Sequence, residues 1–259
     1  MKEDILSSLD NYGRVARLYP ALLALAPAIW TLTALTPSSL SNKSVQLLGS
    51  AGLLLGAYTL LVNVARSRGK AFETKLLSTS GGWRTTALLR HSDGTFDSFT
   101  KARYHSQLQT LCRDVSLPTP AEETLNPQDA DSRYRSVTLR LIELRREPKF
   151  KMLHRENAQY GFRRNLLGLK RIALIVVALA LVYASALLLH GLPQGSTYAD
   201  KLFADAEARP TLYVVLVADV IDVLVWLILV RPGFVIQSAT EYAIALFRTL
   251  EGPEMAGVD

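Results

Sequence analysis

Four stretches of the 259-residue chain are almost free of charge, at residues 19–36, 45–65, 172–192 and 211–230. Each has about the 17–25 residues that a helix needs to cross a hydrocarbon core of roughly 30 Å. Burying four such helices in the core of one small soluble domain is the less economical alternative. Pro20 and Pro27 interrupt the first stretch. The second carries Gly52 and Gly56, a small-xxx-small pair that lets helices approach closely in a membrane.

Between the second and third stretches the pattern turns amphipathic. Residues 66–79 extend the second span as a helix. Gly81-Gly82 and Asp93-Gly94 are turn signals, and the "TTALLR" between them is compatible with a short strand. Residues 98–113 read as a helix, basic on one side through Lys101, Arg103 and His105. A loop with Pro118, Pro120 and Pro127 follows. Asn126 then caps a helix with apolar positions at Tyr134, Val137, Leu141 and Leu144, ending near Pro148. From Met152 one helix is expected to run on into the third span, with Gly161 and Gly168 as its weak points. Pro232-Gly233 breaks the fourth span, and an apolar segment follows that suits a membrane surface or a neighbouring subunit.

The predicted fold is therefore an all-α membrane protein with four transmembrane helices and a mostly helical cytoplasmic insert between spans two and three. Its segments are a cytoplasmic N-terminal stretch at 1–18, spans one and two at 19–65, and a basic regulatory domain at 66–171. Spans three and four follow at 172–230, then a C-terminal amphipathic segment and tail at 231–259. The leader mixes acids and bases, unlike a cleavable signal peptide.

Charge orients this arrangement. Residues 66–171 hold 21 Lys/Arg against 11 Asp/Glu, a balance of +10, whereas the remainder holds 8 against 12, or −4. Bases crowd both membrane edges of the insert, as Arg66, Arg68 and Lys70, then Arg163, Arg164, Lys170 and Arg171. The positive-inside rule places the insert and both termini in the cytoplasm.

Enzyme chemistry finds little support. There is no P-loop, dinucleotide fingerprint or nucleophile elbow, and Cys112 is the sole cysteine. His91, Asp93, Asp97 and His105 are the only plausible metal ligands, at a spacing that matches no ligand pattern. No enzyme activity, metal or cofactor is expected.

Two features do carry chemistry. The insert interleaves cations with flat rings, and single-stranded nucleic acid uses that combination through phosphate neutralisation and base stacking. Arg84, Arg103, Arg163 and Arg164 are the candidate phosphate contacts, with Trp83 and Tyr160 as stacking platforms. A topology-setting flank and contact with anionic membrane lipids remain alternatives. The second feature is the pair Asp219 and Asp222 inside the fourth span. An ionised Asp at a bilayer centre costs at least about 2.5–3.5 kcal/mol. Three residues apart, the two lie about 60° and 4.5 Å apart and share one face. No Lys or Arg inside a span can neutralise them. In an assembly of identical chains they would form acidic rings lining a cation pore. The within-chain alternative is hydrogen bonding to Trp30, Thr31, Thr33, Tyr58, Tyr183 or Ser185, with His190 near the far interface.

At "GGWRTTALLRHSD", "TKARYHSQL" and "ENAQYGFRRNLLGLK" the chain resembles the membrane-effector family of the Hailong anti-phage defence systems. The shared layout is two spans, a cytoplasmic insert and two more spans. The resemblance implies a homo-oligomeric channel, a tetramer, in the bacterial inner membrane. It also implies a partner nucleotidyltransferase whose single-stranded DNA oligomer holds the channel inactive until infection. A non-conducting scaffold or receptor subunit and a proton-coupled transporter are the competing functions.

Overall fold

In a computed structural model the chain is described at residues 12–35, 43–79, 82–191 and 205–252. The described residues are helical, with no strand among them. Helix α1 (Tyr19–Leu35) follows a π-helical turn at Arg14–Leu18. Then come α2 (Lys43–Thr79), the single turn α3 (Arg84–Ala87), α4 (Ser98–Leu111), α5 (Pro120–Leu125), α6 (Pro127–Leu144) and α7 (Lys151–Gly191). The last are α8 (Pro210–Leu224), a π-helical turn at Val225–Leu229, and α9 (Pro232–Arg248) with a 3₁₀ turn at Thr249–Glu251. Among the described residues, three helical stretches are long and apolar enough to cross a membrane, at Arg14–Leu35, Lys151–His190 and Pro210–Leu229. The expected second span falls within α2, where only the side chains of 52 and 55–76 are described. The expected N-terminal stretch up to residue 11, the connectors at 36–42 and 192–204 and the tail beyond 252 lie outside the described residues.

Two compact units divide the chain: one from 17–71 and 164–231, the other from 1–16, 72–163 and 232–259. In the first, apolar unit, α1, α7 and α8 pack through small residues. Ala173, Val177, Ala180 and Ala184 recur at helical spacing on α7 and are all buried. Ala184 joins Leu212 and Val215 of α8 in one cluster, flanked by Trp30 and Leu35. Large side chains on the opposite faces, Ile175, Leu179 and Val182 of α7 and Val214, Val217 and Ile221 of α8, are exposed, as helices bathed in lipid require.

Cations close both ends of the α7–α8 pair. Lys170 on α7 donates to the carbonyls of Leu227 (3.2 Å) and Val230 (2.7 Å) at the C-terminal end of the Pro210–Leu229 stretch. Arg209, just before α8, donates to the carbonyls of Leu187 (2.9 Å) and Leu188 (3.3 Å) near the end of α7, and pairs with Asp205 at 2.5 Å. The last carbonyls of a helix have no partner within the helix, and each cation supplies one from its neighbour.

In the second unit a single core gathers Leu88, Leu89, Tyr104, Leu108, Tyr134, Val137, Leu141, Leu153, Leu246, Phe247 and Leu250. Tyr134, Val137 and Leu141 of α6 are fully buried, as their spacing implies, and Leu144 is half-buried. Asn126 accepts from the Asp129 N–H at 3.2 Å with Pro127 at the first turn, so the expected start of α6 stands.

Three local expectations change. "TTALLR" is not a strand: Arg84–Ala87 is a helical turn, and Leu88 and Leu89 enter the core with no strand alongside to pair with. The proline-bearing loop contains α5, started by a capping box in which Thr119 and Glu122 bond each other's backbone N–H groups, with Pro120 at the first turn. Gly161 and Gly168 are close-packing points rather than weak ones. A Cβ on Gly161 would sit 2.8 Å from Ala16 Cβ, and one on Gly168 would sit 2.6 Å from the Gly69 nitrogen. Among the described residues, a Cβ on Gly52 or Gly56 would meet nothing within 4 Å.

Residues 232–252, expected on a membrane surface or against a neighbouring subunit, pack instead into this core. Val235, Ser238, Ala243, Leu246 and Phe247 are buried, and Phe247 lies 6.0 Å from the Tyr104 ring in a stacked arrangement.

Candidate functional site

The acidic pair lies on the seam of α8. Leu212, Val215, Asp219, Asp222 and Trp226 follow one another at spacings of three and four residues, which keeps them on one face. Asp219 is fully buried and has partners within its own chain. Trp30 Nε1 donates to Oδ1 at 2.6 Å and Thr31 Oγ1 donates to Oδ2 at 3.3 Å. This is the within-chain alternative, built from two of the residues named for it. Asp219 therefore ties α1 to α8, and facing a lumen would cost it both bonds. Asp222, half-buried one turn on, differs: its Oδ2 is buried and accepts no hydrogen bond. Trp226, one turn further on, is buried and hydrogen-bonds the Asp222 carboxyl group, leaving Oδ2 as the oxygen without a donor.

The residues singled out for a polyanion have different surroundings. Arg84 Nε donates to Thr240 Oγ1 at 3.1 Å. The Tyr160 hydroxyl donates to Glu73, and its ring stacks on Tyr242 with centroids 6.3 Å apart. Burial pushes the Tyr242 hydroxyl up to about 12. Arg84 and Tyr160 border one small cavity together with Glu73, Val235 and Ile236. Arg163 lies over the Phe234 ring at 4.4 Å, donates to the Phe234 carbonyl at 3.3 Å and sits 3.9 Å from Glu241. Arg103 pairs with Glu251 at 3.2 Å while remaining largely exposed. Arg164 belongs to the apolar unit. The Trp83 ring is exposed, and the guanidinium of Arg135 lies 5.6 Å from its centroid.

Arg135 and Arg140 escaped the sequence reading. Both are exposed on α6 and neither forms an ion pair among the described residues. The signal was present in the heptad-like spacing of α6: with Tyr134, Val137 and Leu141 inward, 135, 136, 139 and 140 must point out.

The side of α4 thought basic and exposed is partly turned inward. Lys101 is buried, and its ammonium donates to the carbonyls of Arg90 (2.7 Å), His91 (3.5 Å) and Asp93. Opposite it, the Glu123 carboxylate accepts from His91 N–H (2.8 Å), Ser92 N–H (3.3 Å), Ser92 Oγ (3.2 Å) and the Tyr134 hydroxyl (2.8 Å). The segment after α3 is thus held by its carbonyls on one side and its N–H groups on the other. Arg90 forks onto Asp131 at 2.8 and 2.5 Å. Asp97 is the N-cap of α4, accepting from Phe99 and Thr100, and these bonds hold its carboxyl below the usual range. His91, Asp93, Asp97 and His105 do not converge as metal ligands, and no such cluster occurs among the described residues.

No protein-family model, curated protein or solved structure matches the chain.

Proposed function

We propose that the chain is a four-span, multi-pass protein of the bacterial inner membrane, with both termini and the unit containing α4–α6 in the cytoplasm. Copies of it assemble into a cation-permeable channel, gated by a single-stranded DNA oligomer on the cytoplasmic side. The observation that carries the channel is Asp222. A carboxylate oxygen buried on a lipid-crossing helix without a hydrogen-bond donor is expensive, and water or a passing cation at a symmetry axis relieves that cost. Asp219 takes a different part: it holds α1 against α8 and so sets the position of Asp222. For the ligand, support comes from the exposed Trp83–Arg135 pair and Arg140 rather than from Arg84 or Arg163, whose guanidinium groups have partners in the chain.

Ion flux from liposomes holding the purified protein tests this. Asp222→Asn should lower cation-over-anion selectivity with assembly intact, whereas Asp219→Asn should first loosen the packing of α1. A short single-stranded DNA added on the cytoplasmic face should alter flux, with an effect that fades steeply as salt rises. Electrically silent liposomes would favour the scaffold, and saturable, proton-dependent flux the transporter. Unchanged selectivity in Asp222→Asn would remove that residue from the conduction path.

A further inference from the structure

The polar network around the exposed His91 and the half-buried His105 has no part in the channel reading. The two rings meet edge to face, with centroids 4.9 Å apart and planes at 78°. His91 Nε2 lies 3.0 Å from the Pro118 carbonyl, and His105 Nε2 lies 2.8 Å from the Leu89 carbonyl. A carbonyl only accepts, so each Nε2 carries the hydrogen, and in the neutral form each Nδ1 is bare. A cavity of about 330 Å³, bordered by His91, Asp93, Phe96, Lys101 and His105, opens beside both rings.

The charges facing His105 come from every side. Lys101 lies one turn back on α4, buried and cationic. His91 approaches from the segment after α3. Glu123 on α5 already accepts four hydrogen bonds, one of them from the Tyr134 hydroxyl of α6. The Tyr134 ring itself is 5.7 Å from the His105 ring. On α6 beyond it, Asp131 is occupied by Arg90.

We propose that the His91–His105 pair is a proton-operated latch on residues 88–97. With both rings neutral, the edge-to-face contact and the two carbonyl bonds hold the segment against α4 and α5. A proton on His105 places a second cation beside Lys101 in one confined site, and the ring leaves for the cavity. Its bond to Leu89 and its contact with His91 go with it, and the clamp formed by Lys101 and Glu123 opens. Burial lowers the His105 pKa from its ordinary value, outweighing the bond to the Leu89 carbonyl, which favours the charged ring, and the Lys101 ammonium acts in the same direction as burial.

Two measurements on the full-length protein in nanodiscs test the latch. Amide hydrogen exchange, corrected for the intrinsic pH effect, should show protection of residues 88–97 falling by about tenfold or more from pH 7.5 to 5.5 while the α6 core holds. His105→Gln, which retains a donor for Leu89, should abolish that dependence. Exchange at the imidazole carbon of the wild-type protein needs no variant, and should place the His105 midpoint below that of the same residue in urea. Constant protection of 88–97 in the wild type would overturn the latch. So would a His105→Gln protein that keeps the drop, or a His105 midpoint equal to its value in urea.

Discussion

Glu123 shows how a single side chain organises the unit around it. Burial by itself would raise its pKa, but the donors from His91, Tyr134 and Ser92 outweigh burial and hold the carboxyl below the ordinary value. A carboxylate with a lowered folded pKa contributes stability that is complete above the unfolded value of about 4.5 and is lost as pH falls through the folded one. His105 acts in a higher window, since its stabilisation is complete above an unfolded value of about 6.5 and declines below it. Acid should therefore loosen residues 88–97 before it unfolds the unit. Replacing Glu123 by Ala strands the Tyr134 hydroxyl and the His91 N–H in the core. The expected cost is about 1–3 kcal/mol, seen as a lowered midpoint in thermal denaturation followed by circular dichroism. The same logic separates the two membrane carboxylates. Asp219 has donors and Asp222 Oδ2 has none, although the sequence presents them as equivalent.

At the scale of elements, glycine placement decides which helices touch. Gly168 on α7 faces the backbone of α2 at Arg68 and Gly69, and backbone cannot swing aside for a new side chain. Gly168→Val should therefore force α7 from α2, with loss of properly assembled protein in size-exclusion chromatography from detergent. Gly52→Val meets nothing within 4 Å among the described residues and should leave the folding of a single copy unchanged. Any change in oligomer size from Gly52→Val would assign that face to a neighbouring copy. Helix starts were legible where a cap and a proline stood together, as at Asn126-Pro127. The same signal at Thr119-Pro120 was hidden within a run of prolines that reads as loop.

At the scale of the molecule, α9 joins residues far apart in the chain. Phe247, Leu246 and Leu250 close the core of α3, α4 and α6, and Arg84 and Arg145 each reach a threonine, Thr240 or Thr249, of that C-terminal segment. A chain ended after Arg231 would expose this core. The expected outcome is rapid proteolysis of residues 82–150 with the apolar helices still protected, read by limited digestion and mass spectrometry. If 82–150 stayed resistant, α9 would be an accessory to the core instead of a part of it.

The sequence by itself determined the all-helical class, the apolar helices, the single run of α7 and the shared face of Asp219 and Asp222. Each of these follows from local periodicity, length or composition, which a chain carries without reference to its neighbours. Only the tertiary structure decided that Asp219 bonds to Trp30 and Thr31, that Lys101 and His105 turn inward, and that α9 belongs to the core. It also gave most of the candidate arginines partners in the chain and left Arg135 and Arg140 exposed in their place. Such outcomes depend on which groups meet in the folded chain, at separations from 8 to 189 residues, and an unfolded string of charges does not say which of them will be spent on its own carbonyls and carboxylates.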